Sequence, residues 1–307
     1  MDRPRRFGHD KPSPPLLKQD RPMFQPDQYQ LLDFGAGRKL ERFGNYLLDR
    51  PAPVTIGTDR GSDALWQRSS VCYQRQSPQS GEWVSDESLP ACWTIEHRNC
   101  KFELRWTPFG HVGVFPEQAE NWDWIDAQIR GTTRPLKVLN LFAYTGGSTM
   151  AAAAANAQVV HVDSARNVVR WARRNLELSR LSSARVRWIT EDAPRFVQRE
   201  VRRGNRYDAV ILDPPTYGHG SRGEPWKIEK HLVPLLRACR DLTAERLVFL
   251  LLSCHSPGYD PRHLSKMLRR EILGDGAERL MVTALELEDV AGRKLPGGVV
   301  ARWPEKP

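Results

Sequence analysis

One stretch constrains this chain more than any other: Lys137-Val-Leu-Asn-Leu-Phe-Ala-Tyr-Thr-Gly-Gly-Ser-Thr-Met-Ala-Ala-Ala-Ala-Ala155. An apolar run, Val138 to Phe142, meets a turn carrying Gly146 and Gly147 and then a run of small helix formers. That order reads as strand, tight turn and helix, the opening unit of a nucleotide-binding α/β sheet. Its glycines let the backbone approach a ligand, and its alanines let the helix lie tight on the sheet. A second apolar run, Val159 to Val162, ends at Asp163, where such sheets place an acid that accepts hydrogen bonds from a ribose diol.

Tyr144-Thr-Gly-Gly-Ser148 lacks the G-x-G-x-x-G spacing with which a helix N-terminus holds a pyrophosphate. A cofactor with a ribose and no phosphates fits better, and S-adenosylmethionine is the common one. The bland alternative is a glycine-containing turn in some other α/β protein.

Downstream the pattern alternates. Strands are expected at 158–162, 185–190, 207–212 and 246–252, and helices at 164–180, 193–203, 225–241 and from Asp260-Pro261 to 272. Asp260 is an N-cap candidate with proline at the first helical position. Two closing strands, 279–286 and 298–303, have no helix between them. The expected fold is a doubly wound, mainly parallel Rossmann-like α/β sheet of the methyltransferase kind with an antiparallel edge hairpin. Residues 60–116 read as short alternating strands, so a small β-rich domain precedes it. The expected division is a disordered, basic, proline-rich arm at 1–27, a β-rich substrate or RNA domain with a linking helix at 28–130, and a cofactor domain at 131–307.

The formal net charge of +9 favours a polyanionic partner, and nucleic acid over membrane, because no apolar run approaches a spanning helix. The charged, proline-broken start does not read as a signal peptide, so a cytoplasmic protein is expected. The five cysteines include no C-x-x-C pair, which points away from disulfides and from a metal site. Within residues 29–50, Arg38, Lys39, Arg42 and Arg50 lie among Phe34, Phe43 and Tyr46. Such a mixture can stack bases and neutralise phosphates. It can equally be a folded lead-in whose cations pair with Asp33, Glu41 and Asp49.

Candidate chemistry falls at the carboxyl ends of the expected strands: the Tyr144 turn, Asp163, Glu191-Asp192, Asp213-Pro-Pro-Thr-Tyr217 and Ser253-Cys-His-Ser256. An acid, a thiol and glycines converging on one rim is the pattern of an active site. Singly, Asp192 could cap a helix and Cys254 could be apolar filler. Pro214 and Pro215 fix an extended turn whose carbonyls can face a planar base, with Tyr217 placed to stack on it.

Asn140-Leu-Phe-Ala-Tyr-Thr-Gly-Gly, Val162-Asp163, Asp192, Ile211-Leu-Asp-Pro-Pro215 and Ser253-Cys254 stand in the order of the bacterial 23S rRNA cytosine-C5 methyltransferase family, which the chain resembles over about residues 111–303. Val114-Phe-Pro-Glu-Gln118 resembles that family's lead-in. The resemblance implies S-adenosylmethionine as cofactor and RNA, specifically rRNA, as substrate. It implies that Asn140, Phe142, Tyr144, Thr145, Gly146 and Gly147 shape the methionine end of the pocket, Asp163 the ribose site and Asp192 the adenine site. Asp213 would sit beside the target base with Pro214, Pro215 and Tyr217, and Cys254 would attack it, since C5 becomes nucleophilic only once a thiolate adds at C6. The chain departs from the pattern at Thr216, Tyr217 and His255, where lysine, phenylalanine and serine are usual, and residues 29–50 stand where members carry an RNA-binding domain. Rival readings are a guanine-nitrogen RNA methyltransferase without a cysteine nucleophile, a non-catalytic RNA-binding or assembly protein, and a small-molecule methyltransferase.

Overall fold

Strands that are apolar on both faces must be covered on both faces. The computed structural model describes residues 23–77, 80–220 and 223–305, and its largest sheet is built from such strands. The small N-terminal part comes first in the chain: β1 (Tyr29–Gly35), β2 (Arg38–Phe43), β3 (Tyr46–Pro51), the single turn α1 (Asp63–Trp66), β4 (Val71–Ser77) and β5 (Ser80–Val84). These five strands form one sheet in sequence order, antiparallel except for the β3–β4 pair. A separate antiparallel hairpin follows, β6 (Cys92–His97) with β7 (Cys100–Arg105). A turn of 3-10 helix at Pro116–Gln118 then leads into α2 (Ala119–Arg130).

The large part runs β8 (Lys137–Leu141), α3 (Gly147–Ala154), β9 (Gln158–Asp163), α4 (Arg166–Leu178), β10 (Val186–Thr190), α5 (Ala193–Arg202) and β11 (Ala209–Leu212). It continues through a short ribbon, β12 (Tyr217–His219) with β13 (Pro225–Lys227), to α6 (Ile228–Thr243), β14 (Phe249–Cys254), α7 (Pro261–Leu268), β15 (Met281–Glu288) and β16 (Lys294–Trp303). The seven-stranded order is β10-β9-β8-β11-β14-β16-β15, with β16 antiparallel to both neighbours and the rest parallel. This is the doubly wound sheet with an edge hairpin expected from the sequence. Asp260 caps α7 by accepting the His263 N–H at 2.7 Å. The order reverses between β8 and β11, and ligands of such sheets bind outside the carboxyl ends of the strands at that crevice.

Two differences from the sequence expectation bear on function. Tyr217–His219 and Pro225–Lys227 form the β12–β13 ribbon, so α6 begins at Ile228, later than expected. The fifth parallel strand runs from Phe249 to Cys254 rather than from 246 to 252, so Ser253 and Cys254 are inside the strand.

One apolar cluster joins the two parts: Phe43, Phe102 and Leu104 of the small part share a core with Trp122, Ile125, Val138 and Met150. The β6–β7 hairpin sits directly on α4, where the Trp171 indole donates to the Glu103 carbonyl at 2.8 Å and the Asn175 side chain accepts the Glu103 N–H at 2.9 Å. Residues 1–22 of the expected arm lie outside the described residues. Phe24, at its end, is buried against Tyr29, His97 and Trp122.

The aromatic and basic stretch at 29–50 proves to be the folded lead-in. Phe34 and Phe43 are buried, so neither can stack a base. Arg50 reaches Glu41 and Arg38 reaches Asp49, both at 2.5 Å, while Lys39 lies 3.1 Å from Glu41. Asp33 is held by Arg293 instead.

Candidate active site

The turn after β8 sets the site. Phe142 and Tyr144 both adopt left-handed backbone, at φ 54° and 48°, and Gly146 follows at φ 89°. Non-glycine residues hold that conformation at a cost and cluster at functional sites. Gly147 begins α3 where a Cβ would come within 2.6 Å of the Trp122 ring, so only glycine fits there. The turn's N–H at Tyr144 donates to Asp163 Oδ2 and that of Ala165 to Oδ1, each at 2.9 Å. Burial raises the Asp163 pKa, and the backbone donors oppose the rise.

A cavity of about 500 Å³ opens at these strand ends. Its walls include Phe142, Tyr144, Asp163, Asp192, Asp213, Pro214, Pro215, His219, Trp226, Glu117 and His255. A cleft of about 40 Å³ adjoins it, sharing Phe142, Tyr144 and Asp213 and adding Gln118, Asn140, Thr145, Gly146, Gly147 and Ser148. The fold thus gathers the Tyr144 turn, Asp163, Asp192 and Asp213 as the sequence implied. A larger groove of about 910 Å³ runs along α7 and shares no wall residue with the strand-end cavity.

Individual roles differ. Asp192 caps α5, its Oδ1 accepting the Arg195 N–H at 3.0 Å, and still faces the cavity. Asn140 is fixed by donating to the Thr149 hydroxyl at 2.9 Å. Thr145 is buried, donating to the Gly113 carbonyl at 2.6 Å and accepting at its own carbonyl from Asn175. Asp213 accepts from the Ser253 hydroxyl at 2.6 Å, and its Oδ1 lies 3.5 Å from His255 Nε2. Burial alone would lower the His255 pKa, but Asp213, Glu117 and the Gly297 carbonyl outweigh it and raise the pKa to about 9.

Two expectations change. The Pro215 carbonyl is not open to a base, because the Trp226 indole donates to it at 2.6 Å while the ring packs 4.7 Å from Phe142. Tyr217 is 54% exposed and is not among the cavity walls; its hydroxyl pairs with His219 Nε2 at 2.9 Å.

Cys254 is only 1% exposed and does not line the cavity. Side chains alternate along a strand, so Phe249 and Leu251 of β14 enter one core, and Leu250, Leu252 and Cys254 enter the other, with Leu232 and Leu264. Burial pushes its thiol pKa up, opposed by Ser256, whose N–H and hydroxyl face the sulfur.

Glu117, Gln118, Trp226 and His219 were missed by sequence reasoning. Glu117 and Gln118 stood within the lead-in motif, which was the one available signal. Glu117 Oε2 and Gln118 Nε2 are both buried without a hydrogen-bond partner among the described residues. Among those residues no group of His, Cys, Asp and Glu side chains could hold a metal ion, and no helix is long and apolar enough to cross a membrane.

A family model described as S-adenosylmethionine-dependent methyltransferase matches residues 55–271. The crystal structure of the SAM-dependent methyltransferase from Agrobacterium tumefaciens is 35% identical, with a TM-score of 0.85 over 91% of each chain. Ribosomal RNA large subunit methyltransferase K/L of Hahella chejuensis is 28% identical over 207 residues, 66% of this chain and 26% of that protein. Ribosomal RNA large subunit methyltransferase I of Escherichia coli is 27% identical over 210 residues, 62% and 52% of the two chains. The chain therefore spans about half or less of these curated relatives.

Proposed function

The chain belongs to the S-adenosylmethionine-dependent methyltransferase family, and from that premise we propose that it methylates a base of RNA, specifically large-subunit rRNA, in the cavity at the carboxyl ends of β8, β9, β11 and β14. The observation that carries this reading is the cavity itself, which joins a buried ribose-type acid, Asp163, to the Asp213-Pro214-Pro215 turn. RNA is supported by the likeness to rRNA methyltransferases and by the net charge of +9. It is supported also by the groove along α7, whose walls carry Arg262, Lys266, Arg269 and Arg270.

The residues fit the cofactor. Each Asp163 oxygen takes one backbone N–H, leaving lone pairs for a ribose diol whose donors offset the cost of burying the carboxylate. Asp192 Oδ1 is used by its cap, so Oδ2 is the atom for an adenine amino group. Phe142 and Tyr144 form apolar walls, and the turn through Gly146 and Gly147 receives the methionine end. When bound, the cofactor supplies an electrophilic methyl group on a sulfonium.

For cytosine C5, Cys254 would lose its thiol proton to water and its Sγ would bond C6, while protonated Asp213 donates its proton to N3. After methyl transfer to C5 a water takes the C5 proton, the Sγ–C6 bond breaks to release the thiolate, and N3 returns its proton to Asp213. This requires the Cys254 side chain to leave the apolar core it shares with Leu252 and turn to the cavity, whose walls it does not line. A second reading, transfer to a guanine nitrogen, is favoured by that same burial, because it needs Asp213 and the proline turn but no thiol. The Cys254→Ala variant separates them. Loss of transfer to RNA with cofactor affinity intact is the C5 outcome. Retained transfer, with the label on guanine, assigns the nitrogen.

A further inference from the structure

The lead-in segment holds two buried polar atoms with nothing to bond, and one of them has a determined orientation. Arg302 donates from Nε and Nη2 to Asn121 Oδ1, at 2.8 and 2.6 Å. A guanidinium can only donate, so the Asn121 amide has one orientation and its Nδ2 must donate onward. It does so to Gln118 Oε1 at 2.7 Å. That fixes the Gln118 amide in turn: its oxygen is used, and its Nε2 is a donor with no acceptor among the described residues. Gln118 is 6% exposed, so water does not readily meet that need.

The donor belongs to the small cleft it shares with Gly146, Gly147 and Ser148. Gly147 and Ser148 are the first residues of α3, whose first-turn N–H groups have no partner inside the helix and favour negative charge. The cleft holds about 40 Å³, room for one small group. A side-chain donor and a helix N-terminus around that volume suit a carboxylate. Asp213, which also borders the cleft, suits the neighbouring ammonium of an amino acid instead.

We propose that Gln118 is a cofactor-positioning residue whose Nε2 donates to the carboxylate at the methionine end of S-adenosylmethionine, with Asn121 and Arg302 setting its direction. It rests on the reading of the strand-end cavity as the cofactor site. Gln118 acts on the cofactor alone and carries no step of the transfer.

The test is calorimetric binding of S-adenosylhomocysteine and of its decarboxylated analogue, S-adenosyl-3-thiopropylamine, to the full chain. Gln118→Met weakens the first by about ten- to hundredfold, the span for a hydrogen bond to a charged group, and leaves the second within about twofold. Asn121→Asp keeps a partner for Arg302 but offers Gln118 an acceptor in place of a donor, so the amide turns from the cleft and the same selective loss follows. Asp163→Ala weakens both ligands alike. Equal affinities in wild type and Gln118→Met, or an equal loss for both ligands, overturn the assignment. If Asp163→Ala changes neither affinity, the cavity is not the cofactor site, and that reading falls first with the role of Gln118 following it.

Discussion

Glu41 of the small sheet and Glu117 of the strand-end cavity are both buried carboxylates, yet their surroundings are opposite. Glu41 accepts from Arg50 Nε at 2.8 Å and from the Tyr29 hydroxyl at 3.0 Å, with Lys39 at 3.1 Å. Burial pushes its pKa up, and Arg50 and Lys39 more than reverse that. Glu117 Oε2 has no partner among the described residues and faces the cavity beside His255. A charged group that is satisfied inside the fold has structural work; one left unsatisfied toward a cavity is waiting for something from outside. The comparison separates two regions that share carboxylates and aromatic rings but differ in cations, since the small sheet pairs its carboxylates with Arg and Lys whereas the cavity walls carry neither.

The comparison breaks most visibly at Asp213. Asp213→Asn is expected to lower methyl transfer by roughly 10²–10⁴-fold, the usual scale for an acid or base beside the reacting group. Above about pH 9, where His255 has lost its proton, the denaturation midpoint should move little, since the Ser253 hydroxyl keeps an acceptor; below that pH it should fall by whatever the Asp213–His255 pairing contributes. Single-turnover kinetics with saturating cofactor measure the first, and urea unfolding the second. At Glu41 the weights invert. Glu41→Leu leaves Arg50 buried without its partner and costs about 3–5 kcal/mol of stability in equilibrium unfolding. Its cofactor affinity per folded molecule is unchanged.

The α7 groove sharpens the contrast in cations. Arg262 and Lys266 are exposed and have no carboxylate partner among the described residues, unlike Arg38 and Arg50. Replacing both with glutamate should weaken RNA binding across sequences and reduce the magnitude of the slope of log affinity against log salt by about one for each phosphate no longer neutralised. Filter binding over a salt series reads this directly, and an unchanged slope would remove the groove from the RNA path.

The smallest effect concerns His255. Its folded pKa, about 9, lies above the ordinary 6.5, so the folded state holds the proton more tightly than the unfolded chain. The stabilisation is complete below about pH 6.5, fades as pH rises, and is gone above about 9. His255→Gln should flatten urea midpoints across that window. A wild-type midpoint that does not fall between those limits contradicts the Asp213–His255 pairing.

Much of the large sheet was legible because a parallel strand buried on both faces leaves a near-continuous apolar run, and Val138–Leu141, Val159–Val162 and Ala209–Leu212 do so, broken at Asn140 in the first and His161 in the second. The strand-end acids were legible for the same reason, each following a run. Pairings distant in sequence were not. Nothing near Trp226 announces that it closes the Pro215 carbonyl, and nothing near Asn121 announces Arg302, 181 residues away. Cys254 lies between these cases. Its place at a strand end could be read, but the side it faces depends on which alternate residues of β14 enter which core, and alternation puts it with Leu250 and Leu252. For Arg38 and Arg50, composition allowed two readings, and only the pairings with Asp49 and Glu41 decide between them.

The most direct test is transfer of tritiated methyl from S-adenosylmethionine to total rRNA from a strain lacking this protein, comparing wild type with Asp213→Asn and identifying the labelled nucleoside. The account predicts label on one base of large-subunit rRNA with wild type and a loss of at least about a hundredfold with the variant while cofactor still binds. Absence of label on any RNA, with cofactor bound by the wild-type protein, would contradict it.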